Sequence, residues 1–369
     1  MKTIFRSWKA HSGAARTALW VMLIAAALMI GMAGCDTPSS GVQIRDWNDL
    51  TAVRNKLDGQ FLLMNHLDST TAGYTELASP TADEGRGWEP IGVWPDPFTG
   101  SFDGQGFEIR DLFIDRPGET NVGLFSFVNA GATVTGVAVV DADVTGDLYV
   151  GSLAGHSRGN LSNCCSTGNV AGDTHVGGLV GENGGILSDC YSTATVSGSF
   201  EVGGLIGQNH GTVGRSYSTG SAAGSSYVGG LVGWNREGSV SNSYSRARAD
   251  GESLVGGLVG HNRAGVSDCY SVGNVTGLED VGGLVGRSYG GTVSDSFWDI
   301  AASGQATSSG GTGKTTEEMR DIATFSGAEW NIIAVASSSM RDGSYIWNMV
   351  DDETYPFLSC SALACFTIS

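Results

Sequence analysis

Val176-Gly-Gly-Leu-Val-Gly181 is the stretch on which the fold turns. The same six residues return at Val228–Gly233, Val255–Gly260 and Val281–Gly286, with close variants at Val150–Gly155 and Val202–Gly207. From Val150 the leading valine advances by 26, 26, 26, 27 and 26 residues, and a looser copy, Val122–Phe125, starts 28 residues before Val150. A fixed period of this length marks stacked supersecondary units, each unable to bury its apolar face alone. The unit beginning at Val255 has three short runs rich in Val, Leu and Tyr, punctuated by Gly, Asn and Asp, and no helical spacing of apolar residues. Pro is absent from the block 122–298. Three short strands per unit predict a right-handed parallel β-helix, all-β, with ~26-residue coils about 4.8 Å apart and a cap at each end.

Aligning the units produces columns. Cys164, Cys190, Ser216, Ser243, Cys269 and Ser296 share one position, followed by Cys165, Tyr191, Tyr217, Tyr244, Tyr270 and Phe297. Strands alternate faces with period two, so small residues pointing into a narrow core predict the aromatic stripe Tyr191, Tyr217, Tyr244, Tyr270, Phe297 on the outside. Burial of the aromatics is the alternative. Gly172, Gly198, Gly224, Gly251 and Gly277 fall at a corner, where positive φ is expected. The column Ser157, Asn183, Asn209, Asn235, Asn262, Ser288 reads as an amide ladder along the axis. Leu179, Leu205, Leu231, Leu258 and Leu284 are expected to form one buried ladder.

At these residues the chain resembles bacterial proteins that carry the GLUG motif. The motif's Gly-Leu-hydrophobic-Gly core is similar to Gly178-Leu179-Val180-Gly181 and its equivalents. The resemblance extends to Trp88–Gly92 and Phe98–Gly106 before the repeats, and to Gly311–Met319, Trp330, Trp347 and Tyr355–Leu358 after them, covering about residues 42 to 358. It implies a surface or secreted protein, since such proteins include adhesin-like chains and a group of immunoglobulin A peptidases. By itself it implies no activity.

The first 34 residues carry Lys2, Arg6, Lys9 and Arg16, no acid, and an apolar run from Ala18 to Met32. This describes a secretory signal. Ala33-Gly34-Cys35 resembles a bacterial lipobox, which implies lipidation of Cys35 and membrane attachment through that lipid. An ordinary signal peptide or an uncleaved anchor helix is the alternative, although the run is short for a span. Cleavage would leave 16 Lys+Arg against 38 Asp+Glu. So acidic a chain repels nucleic acid. The expected organisation is a signal peptide at 1–34, a tether at 35–41, an N-terminal cap with opening coils at 42–121, the repeat helix at 122–298 and a C-terminal cap or tail at 299–369.

Disulfides are permitted in such a compartment. Cys190 and Cys269, three rungs apart, are too distant to pair. Cys164 and Cys190, one rung apart, are within reach, and Cys360 with Cys365 would close a small terminal loop. Exchange with Ser in the same column marks these cysteines mainly as small core residues. At the ends, apolar residues at Trp47, Leu50, Val53 and Leu57 predict a helix that covers the first coil, with Phe61–Met64 as first strand. Thr315–Ile322 reads as a capped short helix, and the Trp-rich tail to Phe357 is expected to close the last coil.

Catalytic patterns are sparse. Gly313-Lys314-Thr315 lacks the earlier glycine of a phosphate loop, because position 308 is Ser. There is no H-E-x-x-H. His156 and His261 share a column four rungs apart, while His175 and His210 fall in other columns, which gives no metal cluster. Asp268 and Asp295, one rung apart, are the nearest acid pair, and turn acids commonly accept backbone hydrogen bonds. The sequence therefore points to a lipid-anchored, monomeric, non-catalytic surface β-helix without cofactor or metal. It would bind or display protein or glycan, with the tyrosine stripe as candidate ligand surface; the alternative for the stripe is that its rings only stabilise the ladder by stacking on each other or lie under a tail. A polysaccharide lyase or glycosidase is the alternative.

Overall fold

The computed structural model describes residues 41–359. The expected signal peptide, Cys35, nearly all of the tether, Cys360 and Cys365 lie outside the described residues.

From Val42 the chain winds as a parallel β-solenoid. The coil around the opening phrase runs through Thr174–Gly177, Val180–Asn183, Ile186–Ser188, Tyr191–Ser192 and Thr195–Ser197. Each strand pairs in parallel with its counterpart one repeat later: Val176 with Val202, Val180 with Ile206, Leu187 with Val213, Tyr191 with Tyr217, Val196 with Ala222. The register is that of the sequence columns. The strand count differs, with five short strands on four ladders instead of three strands. Two runs that read as continuous are bent, one at Gly178–Leu179 and one at Thr193–Ala194.

Glycine is required at the first bend for space. A Cβ on Gly178 would lie 2.2 Å from Ser192 Oγ and 2.3 Å from Gly204 O. The corner glycines also serve packing, which corrects the expectation of positive φ. A Cβ on Gly172 would meet Val150 Cγ2 at 2.8 Å. Left-handed backbone falls instead on two non-glycine columns, seen in this coil at His175 (φ 56°) and Asp189 (φ 56°).

The interior is layered. Leu179, Leu205, Leu231, Leu258 and Leu284 are all fully buried, as expected. So are Cys164, Cys190 and Cys269, and burial pushes the Cys190 and Cys269 thiols up. The Cys/Ser column has a second task. Cys190 N–H donates to Ser216 Oγ at 3.2 Å, Ser216 N–H to Ser243 Oγ at 3.1 Å, and Cys164 N–H to Cys190 Sγ at 3.4 Å. Both residue types thus offer a small body and an acceptor for a buried amide, which explains their exchange. Cys164 and Cys190 are free, so the pairing within reach is not made. Cys165 is disulfide-bonded. The amide ladder is continuous: Asn183 Nδ2 donates to Asn209 Oδ1 at 2.8 Å, Asn209 to Asn235 at 2.9 Å, and Asn235 to Asn262 at 2.8 Å.

The N-terminal helix is shorter than the apolar pattern suggested. It spans Trp47–Ala52, capped by Asp46 Oδ1 accepting from Asp49 N–H at 2.8 Å, and passes into a 3-10 turn at Val53–Asn55. Trp47, Leu50 and Val53 are buried in the main core. The first strand is Val42–Ile44, upstream of the expected one, and pairs with Gln60–Leu63.

The C-terminal end departs most from expectation. The last coil is closed by residues 298–314. Thr312–Lys314 adds a rung to Phe297–Asp299, and Ser308 Oγ accepts from Leu284 N–H at 3.3 Å and Val285 N–H at 2.9 Å. The expected helix is broken into a 3-10 turn, Glu318–Arg320, and a helix, Ile322–Ser326. A reciprocal capping box between Thr315 and Glu318 starts it. The Trp-rich tail leaves the solenoid end and lies against its side. There Ile332–Ala334, Trp347–Met349 and Phe357–Leu358 form a small sheet.

Candidate functional site

The tail lies on the tyrosine stripe. The rings do leave the solenoid core: they belong to separate clusters, with Tyr244, Tyr270 and Phe297 packed against Met319, Phe325, Trp330 and Trp347. They stack on one another at 4.8 Å with 1° between planes for Tyr191–Tyr217 and for Tyr217–Tyr244. Tyr270 Oη donates to Pro356 O at 2.5 Å, and Trp330 Nε1 donates to Asp295 O at 2.8 Å. Tyr191, Tyr244, Tyr270 and Phe297 are buried and Tyr217 is half-buried. The stripe is therefore not the open ligand surface that its sequence suggested. Outward rings in a row are a large apolar patch, and the tail covers it.

A second pair of columns is only partly covered: Tyr149, His156, His175, Glu182, Tyr227 and Trp234 are half-buried, while Phe127, Glu201, Gln208 and His261 are buried. They flank the repeated phrase at the corner between two ladders. One column holds Tyr149, His175, Glu201 and Tyr227, each in left-handed backbone with φ of 56–58°. The other holds Phe127, His156, Glu182, Gln208, Trp234 and His261, paired rung by rung. The αL corner swings the first column across to meet the second. Tyr149 and His175 stack at 4.6 Å, and Phe127 and His156 approach at 4.5 Å. His175 Nε2 lies 2.8 Å from Glu201 Oε2, and Gln208 Nε2 donates to the same oxygen at 2.9 Å. His156 Nε2 lies 3.6 Å from Glu182 Oε1. His210 Nε2 joins Gln208 Oε1 at 2.9 Å and its Nδ1 faces Glu237 at 3.5 Å. Further along, Tyr227 lies 5.7 Å from Trp234 and 5.5 Å from His261.

Electrostatics set this face apart. Burial lowers His156 to about 4, helped by Arg158, His210 and His175, so it is neutral at pH 7. Burial, then Arg287 and Arg263, lowers His261. Burial followed by Glu182 and Glu201 raises Tyr149. Four enclosed polar atoms here make no hydrogen bond: His156 Nε2, His175 Nδ1, Trp234 Nε1 and His261 Nδ1. Each such atom costs about 1–3 kcal/mol, and their concentration on one face calls for a functional explanation. The rings and amides are suited to stacking and to hydrogen bonds with hydroxyl groups.

Sequence alignment missed this face because His156 and His175 stand in different columns. The available signal was variability. The positions just before each leading valine, and six after it, change from rung to rung while the phrase between them stays constant. The acid pair Asp268 and Asp295 occupies the other αL column, with φ of 53° and 46°. Arg215 in that column pairs with Asp189. Asp268 is raised first by burial and then by Asp295. Among the described residues, no group of three or more His, Cys, Asp or Glu is placed to hold a metal ion. None of their helices is long and apolar enough to cross a membrane.

The profile of the GLUG motif matches residues 172–197, 224–249 and 251–276, three coils of the solenoid in the register described above. The chain carries GLUG repeats. The chain is similar to halomucin of Haloquadratum walsbyi, 37% identical over 142 residues, which is 37% of this chain and 2% of halomucin. It is also similar to a candidate Gly-rich membrane protein of Evansella cellulosilytica, 31% identical over 119 residues, covering 31% of this chain and 13% of that protein. The chain thus spans a small part of either relative. The crystal structure of a candidate immunoglobulin A1 protease from Bacteroides ovatus superposes with a TM-score of 0.55. That match has 18% identity and covers 87% of this chain and 93% of that one, a likeness of fold.

Proposed function

We propose that this GLUG-repeat solenoid is a non-catalytic binding or display module of the bacterial cell envelope, held outside the membrane by a lipid on Cys35, and that its working surface is the open corner of the solenoid. The observation that carries this reading is the pairing of a half-open row of rings, imidazoles, carboxylates and an amide with four unsatisfied polar atoms. The relatives named as a mucin and as a membrane protein support placement at a surface. A solenoid suits the task because it holds side chains on successive rungs in fixed register.

The test is adhesion of the purified chain to glycan arrays and to protein-coated plates. The double variant Tyr149→Ala/His175→Ala should lose the ligand that wild type captures, while Tyr217→Ser should keep it. Retention by the first variant and loss by the second would return the site to the stripe. For the anchor, Cys35→Ser should abolish lipid labelling, and unchanged acylation would rule the lipoprotein reading out.

A carbohydrate-active enzyme is the second reading. It is favoured by one observation, the approach of both Glu182 and Glu201 to Tyr149 and the neighbouring histidines. Release of new sugar ends from a bound polysaccharide, abolished by Glu201→Gln, would establish it.

A further inference from the structure

The corner row continues beyond the repeats, at an exposed residue outside the repeat columns. Ile91 bridges to Phe125 and Phe98 to Val128, so the segment 92–97 stands where a regular rung would run below Phe127. This segment lifts Trp94 outward. Its ring stays 6.1 Å from Phe127 while 69% of the residue is exposed. Neighbouring Val93 is 53% exposed. An indole left this open in contact with the candidate face is a ready stacking surface.

We propose that Trp94 is the anchoring subsite for an extended, uncharged polysaccharide that lies along the solenoid axis, over the rungs that follow Phe127. The inference rests on the binding reading given above and adds the ligand class and the place where it stacks. Three observations carry it. First, Trp94 offers an open ring face, whereas the faces of Phe127 and Tyr149 are engaged by neighbouring imidazoles. A sugar ring, with C–H groups on one face, is the flat partner such an indole takes. Second, the rungs above it carry the half-buried Glu182 and, beside the row, the exposed Glu237, carboxylates that accept hydrogen bonds from sugar hydroxyls. From Phe127 to Trp234 the row advances four rungs at 4.8 Å, about 19 Å in all, so it fits a polymer better than a single sugar. Third, the chain has 38 Asp+Glu against 20 Lys+Arg, and Glu182, Glu201 and Glu237 lie on or beside the row. Arg158, Arg236, Arg263 and Arg287 stand along the same face, so the excess of acid acts through the chain as a whole: its net charge disfavours a polyanion and leaves a neutral glycan as the fitting ligand.

The test is affinity electrophoresis of the full chain in native gels. The gels contain hydroxyethylcellulose, xyloglucan or galactomannan, with alginate as the anionic polymer. At least one neutral polymer should retard the wild-type protein, and alginate should not. Trp94→Ala should weaken retardation roughly threefold to tenfold, the range expected for one stacking contact, and Trp94→Phe should restore most of it. Circular dichroism should be unchanged in both variants, because the residue is mostly exposed. If Trp94→Ala binds as wild type while Glu201→Gln is weakened, the open face stands as a glycan site and the Trp94 subsite is overturned. Retardation by alginate alone overturns the ligand class. If no polysaccharide retards the protein but it adheres to protein-coated plates, this proposal falls and the surface-binding reading remains. If it does neither, both fall.

Discussion

Two rows of outward side chains run along this solenoid, and they have opposite fates. The stripe from Tyr191 to Phe297 repeats nearly the same ring on every rung, stacks its tyrosines with almost parallel planes, and from Tyr217 to Phe297 is covered by the chain's own tail. The corner row from Phe127 to His261 changes side chain on every rung and mixes half-buried with buried side chains, without a cover of its own length. Sameness lets identical rings stack and makes a uniform apolar strip, which suits a cover of fixed shape. Variety forfeits that stacking and leaves polar atoms unsatisfied. It therefore costs stability, which is what a surface specialised for a particular ligand is expected to do. In a repeat protein, the columns that vary between constant ones mark the working face better than the columns that are most aromatic.

The strongest way to break this contrast is to remove the cover's centre. Trp347 is fully buried between Tyr244 and Tyr270 at 6.0 and 5.8 Å. Trp347→Ala should destabilise the tail by about 3–5 kcal/mol, the usual cost of deleting a large buried ring. Limited proteolysis should then cut within residues 315–359 while the solenoid survives. A tail that remains fully protected would mean that the stripe does not depend on it.

Alkali should reach the same contact more gently. Burial raises Tyr217 to about 12 and holds Tyr244 well above its ordinary value of 10. A tyrosine raised on folding contributes stability that is complete below pH 10 and is lost as pH climbs through the folded value. Loosening of the tail should therefore set in above pH 10, together with tyrosinate absorbance. Ionisation of all tyrosines at their ordinary value, with the fold intact, would show an open stripe.

The coil, its register and its inward columns were legible in the sequence because each position is sampled six times. The leucine ladder, the Asn ladder and the Cys/Ser column all stand where the alignment put them. What resisted reading depends on backbone that only the fold supplies. The sharp bend at Gly178 splits one expected strand into two, because backbone from the next coil approaches within 2.3 Å of where a side chain would begin. The αL conformation at His175 and Glu201 brings two columns together that look unrelated in one dimension. The Trp-rich tail suggests an end cap in one dimension, and nothing local says which surface those rings will cover.

Acid should distinguish the open face from the covered one. His156 is lowered to about 4, first by burial. A histidine lowered on folding contributes stability that is present above its ordinary pKa near 6.5 and is lost as pH falls toward 4. Between those limits the unfolded chain takes up a proton that the folded face refuses. The effect is a fraction of a transition rather than a collapse, and it is confined to coils near Phe127 and Glu182. Hydrogen exchange at pH 5 should show faster opening around residues 150–182 than around the tyrosine stripe. Equal protection of both faces at pH 5 and pH 7 would place His156 in a site as settled as the stripe.

The smallest effect expected is the most discriminating. Trp234 is half-buried, its indole nitrogen makes no hydrogen bond, and Arg236 lies 4.9 Å over its ring. If the corner row were structural, like the stripe, Trp234→Ala should cost several kcal/mol, as Trp347→Ala does. If the row is held open for a ligand, the indole contributes little to the folded state, and truncation removes an unsatisfied donor along with it. The expected change is about 1 kcal/mol or less, because the half-buried ring has less contact to lose than the fully buried Trp347, whose indole nitrogen is likewise unpartnered. Chemical denaturation of Trp234→Ala beside Trp347→Ala measures the difference directly. Similar losses in the two variants would erase the distinction between the faces, whereas a near-neutral Trp234→Ala that also weakens glycan retention would identify stability surrendered for binding.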